Sequence, residues 1–239
     1  MKKINSIKEK IFLILAIYTF GVLFGIFFYL LRVLGRIKII HKERFPKDER
    51  KILVVSNHPS LLEPILLPLL FFRQFIFHPI ACTPWNIPDK ANYFDRWYWS
   101  WAKARLIPVD RSSPREALKA LKIVKQVLKS GQPVIIFPEG GRTSSGEEHF
   151  TSKKGAELRK LKGGVGRLIS KVDPLILPIW VSGAENVLPN KKGRLYHCFP
   201  RFWRFVEIKI GEPFYCKGLQ QDEIMQEITW KLLELADEE

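Results

Sequence analysis

A histidine and a glutamate five positions apart, His58 and Glu63, stand in the stretch SNHPSLLEP, Ser56 to Pro64, directly after the apolar run Ile52 to Val55. On an ideal helix, positions i and i+5 are turned about 140° from each other, so the pair cannot share a helical face. They can meet on a bend. Pro64 disfavours helical geometry at Glu63, and the run ahead of the pair ends in Asn57-His58-Pro59, which places both residues on a strand-to-helix turn. There a carboxylate bonded to one ring nitrogen holds the imidazole in one tautomer and stabilises the cation formed when the other nitrogen takes a proton. The chemistry is that of a general base awaiting a hydroxyl. A purely structural hydrogen bond between the same side chains is the alternative that this stretch alone leaves open.

Two further stretches narrow the choice. FPEGGRT, Phe137 to Thr143, follows another apolar run; its glycines let backbone N–H groups approach a ligand closely, and Arg142 offers a planar fork suited to phosphate. IPVDR, Ile107 to Arg111, ends in a second arginine. A base, a phosphate fork and a further cation at three strand ends describe a site at the carboxyl edge of a parallel sheet. A nucleophilic serine would need the G-x-S-x-G elbow, which the sequence lacks; Ser56 and Ser60 lie near His58 without it. Cys82, Cys198 and Cys216 form no C-x-x-C pair, so a reducing compartment and no metal site are expected.

The elements that must carry these residues follow from periodicity. Strand-like runs at Ile52 to Val55, Arg105 to Val109, Pro133 to Phe137, Leu175 to Val181 and Phe205 to Ile210 alternate with helical patterns. The fold class expected is α/β, a mostly parallel central sheet covered by helices. Ser113 to Glu116 reads as a capping box opening a helix that turns Leu118, Leu121, Val124 and Leu128 inward and ends at Gly131. Its Lys119, Lys122, Lys125 and Lys129 read as a solvated face. A second amphipathic helix is expected from Leu219 to Leu235, with Ile224, Ile228, Leu232 and Leu235 on one side. Between Thr143 and Lys162, a stretch carrying Lys153, Lys154, Arg159 and Lys160 reads as a solvated loop, with a basic lip over a membrane as the alternative. The aromatic run Phe94 to Ala104 suits either a core or an interface with one wet side.

Ile11 to Leu31 holds 21 residues without a charge. As a helix it is roughly 30 Å long, about one hydrocarbon core. It exceeds the apolar region of a signal peptide and no small-residue cleavage site follows, so a retained N-terminal hydrophobic membrane helix is expected. Eight basic residues follow the run within twenty positions against four before it, which predicts that the main domain stays cytoplasmic. Spanning and lying in one leaflet both remain open. The expected organisation is an anchor and basic linker over 1–40 and a catalytic domain over 41–239. The formal net charge of +15 implies attraction to polyanions: anionic membrane, phosphorylated substrate or nucleic acid.

NHPSLLEP, IPVDR, FPEGGRT and the apolar LILPIWVSG, Leu175 to Gly183, in this order resemble the blocks of the glycerolipid acyltransferase family typified by 1-acylglycerol-3-phosphate acyltransferase. The resemblance implies an acyl-CoA or acyl carrier protein thioester as donor substrate, no cofactor, a lysophospholipid-type acceptor and contact with membrane phospholipids. It implies His58 as base, Glu63 as its partner, and Arg111, Glu139, Gly140 and Arg142 on the phosphate-binding side. Lys162-Gly163-Gly164 is similar to the lysine-glycine segment downstream of the third block. The chain departs from the family where Glu63 replaces the usual aspartate, where Gly141 replaces a common threonine, and between His78 and Asp89, which lacks the lysine of many relatives. A catalytically inactive basic membrane-surface or nucleic-acid-binding protein on the same fold is the alternative. No recognised nucleic-acid module accompanies the charge, and no nucleic acid is expected as partner.

Overall fold

The computed structural model describes residues 7–47, 51–90, 94–95, 97–110, 113–188 and 200–239. Two near-continuous apolar runs form its centre: β2 (Ile52–Ser56), with every residue buried, and β7 (Leu175–Ser182), buried except at its last residue. Such runs belong to strands covered on both faces. With β1 (Ile37–Ile40), β3 (Trp85–Asn86), β4 (Val134–Ile136) and β8 (Val206–Ile210) they form a six-stranded sheet in the order β1-β8-β7-β2-β4-β3. Every pairing is parallel except β7 with β8. The mostly parallel α/β architecture read from the sequence is therefore the one observed.

Three local expectations change. The run Arg105 to Val109 is no ladder strand: a 3-10 helix, Trp97–Arg105, occupies its start, and only Leu106 and Val109 bridge singly to Asn86 and Asp89. Pro88 and Pro108 each withhold an N–H, so contact is reduced to three bonds among the described residues: Ile107 N–H to the Asn86 carbonyl, Val109 N–H to the Pro88 carbonyl and Lys90 N–H to the Val109 carbonyl. The strand β1, which the sequence placed in the linker, pairs with β8 from Ile37 through Ile40. The stretch expected as a solvated loop contains an antiparallel hairpin, β5 (His149–Thr151) and β6 (Glu157–Arg159). Asp237 fastens its turn by accepting from Ser152 Oγ, Lys153 N and Lys154 N.

The helices are α1 (Ile7–Ala16), α2 (Val22–Val33), α3 (Glu63–Leu66), α4 (Phe72–Phe77), α5 (Pro79–Cys82), α6 (Pro114–Lys129), α7 (Gly164–Val172), α8 (Ala184–Val187) and α9 (Gln221–Asp237). Alternation along the strands sends Leu53, Val55, Val134 and Ile176 to the face covered by α6, α7 and α9. There α9 contributes Ile224, Ile228, Leu232 and Leu235, as its spacing predicted. In α6 the stripe is turned from expectation: Ala120, Val124, Val127 and Leu128 are buried, while Leu118 is exposed.

The opposite face is closed by the N-terminal apolar segment. A π-helical turn, Ile17–Gly21, joins α1 to α2 in one 27-residue rod, Ile7–Val33, which contains an 18-residue window of mean hydropathy 2.6. By length and composition it is able to cross a membrane. Yet Leu13, Ile17, Phe28 and Leu31 pack into the same cluster as Ile52, Val54, Leu177 and Ile179. Tyr18 donates to the Ile76 carbonyl at 2.8 Å, and the rod crosses α4 so closely that a Cβ on Gly25 would stand 1.9 Å from the Phe72 ring. Leu15, Leu23, Ile26, Tyr29 and Val33 face outward. The segment is at once a layer of the core and an apolar surface.

This packing separates two glycines that sequence spacing treats alike. A Cβ on Gly21 meets Ile17 and Phe75 no closer than 3.6 Å, an ordinary contact. Gly25→Ala is expected to lower stability by about 1–3 kcal/mol through overpacking against Phe72. Gly21→Ala is expected to be neutral or slightly stabilising, because alanine is the better helix former. Thermal unfolding of the two variants in detergent checks the contrast.

Candidate active site

Where β2 ends, Asn57 continues its pairing with a side chain. The Asn57 amide donates to the Val181 carbonyl and its Oδ1 accepts from Val181 N, both at 2.8 Å. The chain is thus held against β7 as it leaves the sheet and delivers His58 at the carboxyl edge. Ser60 then ties the turn ahead of α3: its N–H and hydroxyl donate to Glu63, the hydroxyl at 2.7 Å, while Leu62 N donates back to Ser60 Oγ at 3.0 Å. Glu63 is the first residue of α3, which corrects the expectation that Pro64 keeps it out of helical geometry. The bonds from Ser60 and His58 offset the steric cost of a helical residue before proline, and the bend falls at Ser60 to Leu62 instead.

Glu63 is fully buried, and its Oε2 lies 2.8 Å from His58 Nδ1. A carboxylate accepts only, so Nδ1 carries the hydrogen and Nε2 is left to accept a proton. The residue is 6% exposed, and its ring stacks on Phe137, centroids 4.4 Å apart and planes 23° apart. These contacts hold the imidazole in one orientation.

Phe137 begins the second loop, after β4. Within it Glu139 is also fully buried: Oε1 accepts from His58 N at 2.7 Å and Thr143 Oγ1 at 2.9 Å, and Oε2 from Arg159 N at 3.0 Å. Thr143 N donates in turn to the His58 carbonyl at 2.9 Å. Burial pushes the Glu139 carboxyl above its ordinary range, opposed by the donors from Thr143, His58 and Arg159. This residue braces the wall of the site from behind. Gly140, with φ +68°, turns the loop in the left-handed region, and a Cβ there would lie 3.0 Å from Lys162 Cγ. Arg142 follows, half-buried and extended, with φ −70° and ψ 146°.

Of the residues singled out in the sequence, His58, Glu63, Glu139, Gly140 and Arg142 therefore stand on two adjoining loops at the carboxyl edges of β2 and β4. Arg111 lies outside the described residues. Sequence reading overlooked Asn57, Ser60, Phe137 and Thr143. Ser60 was within reach, because Ser60-Leu61-Leu62-Glu63 has capping-box spacing; Phe137 and Thr143 carry no comparable local signal.

His58 and Phe137 border a long apolar pocket between the sheet and the N-terminal rod. Ile17, Phe24, Ile65, Phe75, Trp99 and Trp101 are among its walls. Trp101 also packs against Phe20 and Phe24 at 5.5 and 5.4 Å, whereas Trp97 is 82% exposed. The aromatic run is thus divided between a pocket wall and an outer surface.

Fold and site together define an α/β protein with a buried histidine–carboxylate pair at the carboxyl edge of a parallel sheet, opening on an apolar pocket. The Acyltransferase family model matches residues 36–182, and the chain belongs to that family. It is 26% identical over 203 residues to the chloroplastic 1-acyl-sn-glycerol-3-phosphate acyltransferase LPAT1 of Arabidopsis thaliana, covering 84% of this chain and 49% of that protein. Against the 1-acyl-sn-glycerol-3-phosphate acyltransferase of Pseudomonas aeruginosa the identity is 32% over 111 residues, 46% of this chain and 40% of that one. The chain spans about half the length of the curated relatives it matches. The crystal structure of the 1-acyl-sn-glycerophosphate acyltransferase PlsC from Thermotoga maritima shares the fold, with a TM-score of 0.58 and 23% identity over 90% of this chain and 78% of that one.

The brace at Glu139 is open to test. In Glu139→Gln an amide nitrogen replaces one acceptor, so at least one of the donors from His58, Thr143 and Arg159 faces another donor. A loss of about 1–3 kcal/mol is expected, as for a buried group left unsatisfied. Denaturant titration of the variant measures it.

Proposed function

We propose that the chain moves an acyl group from an acyl-CoA or acyl carrier protein thioester to a free hydroxyl of a lysophospholipid-type acceptor such as 1-acylglycerol 3-phosphate. The observation that carries this reading is the buried 2.8 Å pair of His58 Nδ1 and Glu63 at the mouth of an apolar pocket. Membership of the Acyltransferase family and the printed activities of the relatives support it.

His58 Nε2 takes the proton of the acceptor hydroxyl as its oxygen attacks the thioester carbonyl. The new C–O bond creates a tetrahedral oxyanion, whose collapse breaks the C–S bond and expels the thiolate. The imidazolium returns its proton to that sulfur, leaving an ester and a thiol. Glu63 stabilises the cation between the two transfers. Arg142, with Arg111 as the resemblance implies, holds the acceptor phosphate, and the fork geometry of arginine suits two phosphate oxygens at once.

The membrane reading follows from how the rod is covered. Burial from Leu13 to Leu31 extends over about 27 Å of helical rise, so a transverse helix would draw the globular domain into the hydrocarbon. The rod lies instead along one leaflet, outer face in the lipid. Beside it Phe202, Trp203 and Phe205 are exposed and interleaved with Arg201 and Arg204, and Phe202 meets Phe27 edge-on at 5.0 Å. Tryptophan and phenylalanine flanked by arginines suit the boundary of acyl chains and anionic headgroups. The basic segment after the rod keeps the domain on the cytoplasmic side.

Kinetics test the chemistry. His58→Ala is expected to lower kcat by about 10²- to 10⁴-fold with the fold intact, and Glu63→Gln to lower it strongly. Arg142→Lys is expected to raise the acceptor KM while leaving the donor KM nearly unchanged, because lysine presents a point charge in place of a fork. Normal turnover in folded His58→Ala overturns the mechanism. Cosedimentation with vesicles containing phosphatidylglycerol tests the surface. Trp203→Ser with Phe205→Ser should weaken binding to all vesicles, and Arg201→Gln with Arg204→Gln should weaken it only where lipids are anionic and salt is low. Unchanged binding in both variants removes this loop from the interface.

A further inference from the structure

The loop that carries Arg142 is bonded on its far side to the hairpin β5–β6, to which the chemistry above gives no part. His149 and Arg159 stand directly opposite each other in the antiparallel register of that hairpin. Each reaches the loop. His149 Nε2 lies 2.7 Å from the Thr143 carbonyl; a carbonyl only accepts, so Nε2 carries the hydrogen and donates it. Arg159 N donates to Glu139 Oε2 at 3.0 Å, and Thr143 Oγ1 donates to Glu139 Oε1 at 2.9 Å. Two residues of the hairpin edge and two of the loop thus form a closed circuit.

The circuit fixes the backbone from which Arg142 projects. In the peptide between Arg142 and Thr143, the N–H donates to the His58 carbonyl at 2.9 Å, and the carbonyl accepts from Ser145 N at 2.9 Å and Ser145 Oγ at 2.6 Å. That hydroxyl accepts in turn from Arg159 Nη1 at 3.3 Å. The next carbonyl, that of Thr143, is the one His149 takes. The Arg159 side chain lies so close over the loop that a Cβ on Gly146 would collide with it. At the far end of the hairpin the turn is held by Asp237, so the edge facing the loop is anchored from both directions.

Resting on the reading of Arg142 as the contact for the acceptor phosphate, we propose that His149 is a positioning residue for that contact. By bonding the Thr143 carbonyl it fixes where the Arg142 fork points, and so sets how strongly the site prefers an acceptor bearing a phosphate over the same acceptor without one. Two-point recognition tolerates about 0.5 Å and 10–20° of error, and a long side chain magnifies any backbone rotation at its root. A point charge is far less sensitive to direction. Without the His149 bond the loop keeps its Glu139 brace and its tie to His58, but the carbonyl just past Arg142 is released.

The test uses the full chain in lipid nanodiscs and two acceptors that differ only in the phosphate, 1-oleoylglycerol 3-phosphate and 1-oleoylglycerol. Dissociation constants are read by calorimetry without donor, and kcat/KM with palmitoyl-CoA. His149→Ala is expected to lower the preference for the phosphate-bearing acceptor about tenfold, with 1-oleoylglycerol affinity and the donor KM nearly unchanged. His149→Gln, whose amide reaches as a donor toward the same carbonyl, is expected to retain most of the preference. Adding His149→Ala to Arg142→Lys should cost little more than Arg142→Lys alone, because the histidine acts through the fork. His149→Leu keeps the bulk and removes the donor, and gives the same reading if alanine disturbs folding. An unchanged preference in either folded variant overturns the proposal, as does an equal loss for both acceptors, the mark of a merely structural role. No phosphate preference in the unaltered protein also overturns it, a measurement that needs no variant to fold. Binding is read without donor, so a preference that falls in His149→Ala in a protein that transfers no acyl group would overturn the acyl-transfer reading and leave the positioning role standing.

Discussion

One buried carboxylate holds the site together. Glu139 accepts from the His58 backbone, the Thr143 hydroxyl and the Arg159 backbone, three donors on three separate segments. Each would be a costly orphan in a dry interior, and the carboxylate would be costlier still without them. Satisfying all of them at once allows one arrangement of the loops after β2 and β4. The geometry of the His58–Glu63 pair is downstream of that constraint: His58 is held by its backbone here, by its ring on Phe137 and by Nδ1 on Glu63. A residue that the family resemblance assigns to the phosphate-binding side thus acts from behind the wall, by fixing the loop that carries Gly140 and Arg142.

The same constraint reaches outward. Arg159 belongs to the β5–β6 hairpin, whose turn is fastened by Asp237 at the end of α9. Helix α9 is in turn seated on the sheet by Ile224, Ile228, Leu232 and Leu235. An unbroken chain of packing and hydrogen bonds therefore joins one helical layer to His58. On the other face, the N-terminal rod forms a wall of the pocket while presenting its outer side to the surroundings. On the proposed acyl-transfer and membrane reading, this arrangement lets lipid substrates reach His58 without passing through water, because the pocket lies between the sheet and the N-terminal rod.

Much of this was legible in residue patterns, for identifiable reasons. The buried strands β2, β4 and β7 announce themselves by unbroken apolar runs, and α9 by a period that its buried face reproduces. The pairing of His58 with Glu63 was accessible because it is local: five residues on a bend must bring the two together. The strand β3 was hidden because it is only two residues long and flanked by prolines, and the hairpin β5–β6 because three-residue strands are too short for alternation to register. The inward stripe of α6 was misplaced at Leu118, since helical spacing establishes that a stripe exists and only the neighbours decide where it is centred.

The sequence by itself determined the fold class, the local pairing of His58 with Glu63 and the apolar character of the first segment, because each rests on short-range stereochemistry or on composition. Tertiary structure alone decided that this segment is a layer of the core, that Glu139 is a brace, and that the hairpin edge is bonded to the loop carrying Arg142. Those facts depend on contacts between residues far apart in the chain, such as Gly25 with Phe72, His58 with Glu139 and Arg159 with Glu139. Local pattern carries no record of which distant group will complete a buried hydrogen bond or fill a gap in the packing. That choice is made when the whole chain closes around its core and every buried polar group must find a partner at once.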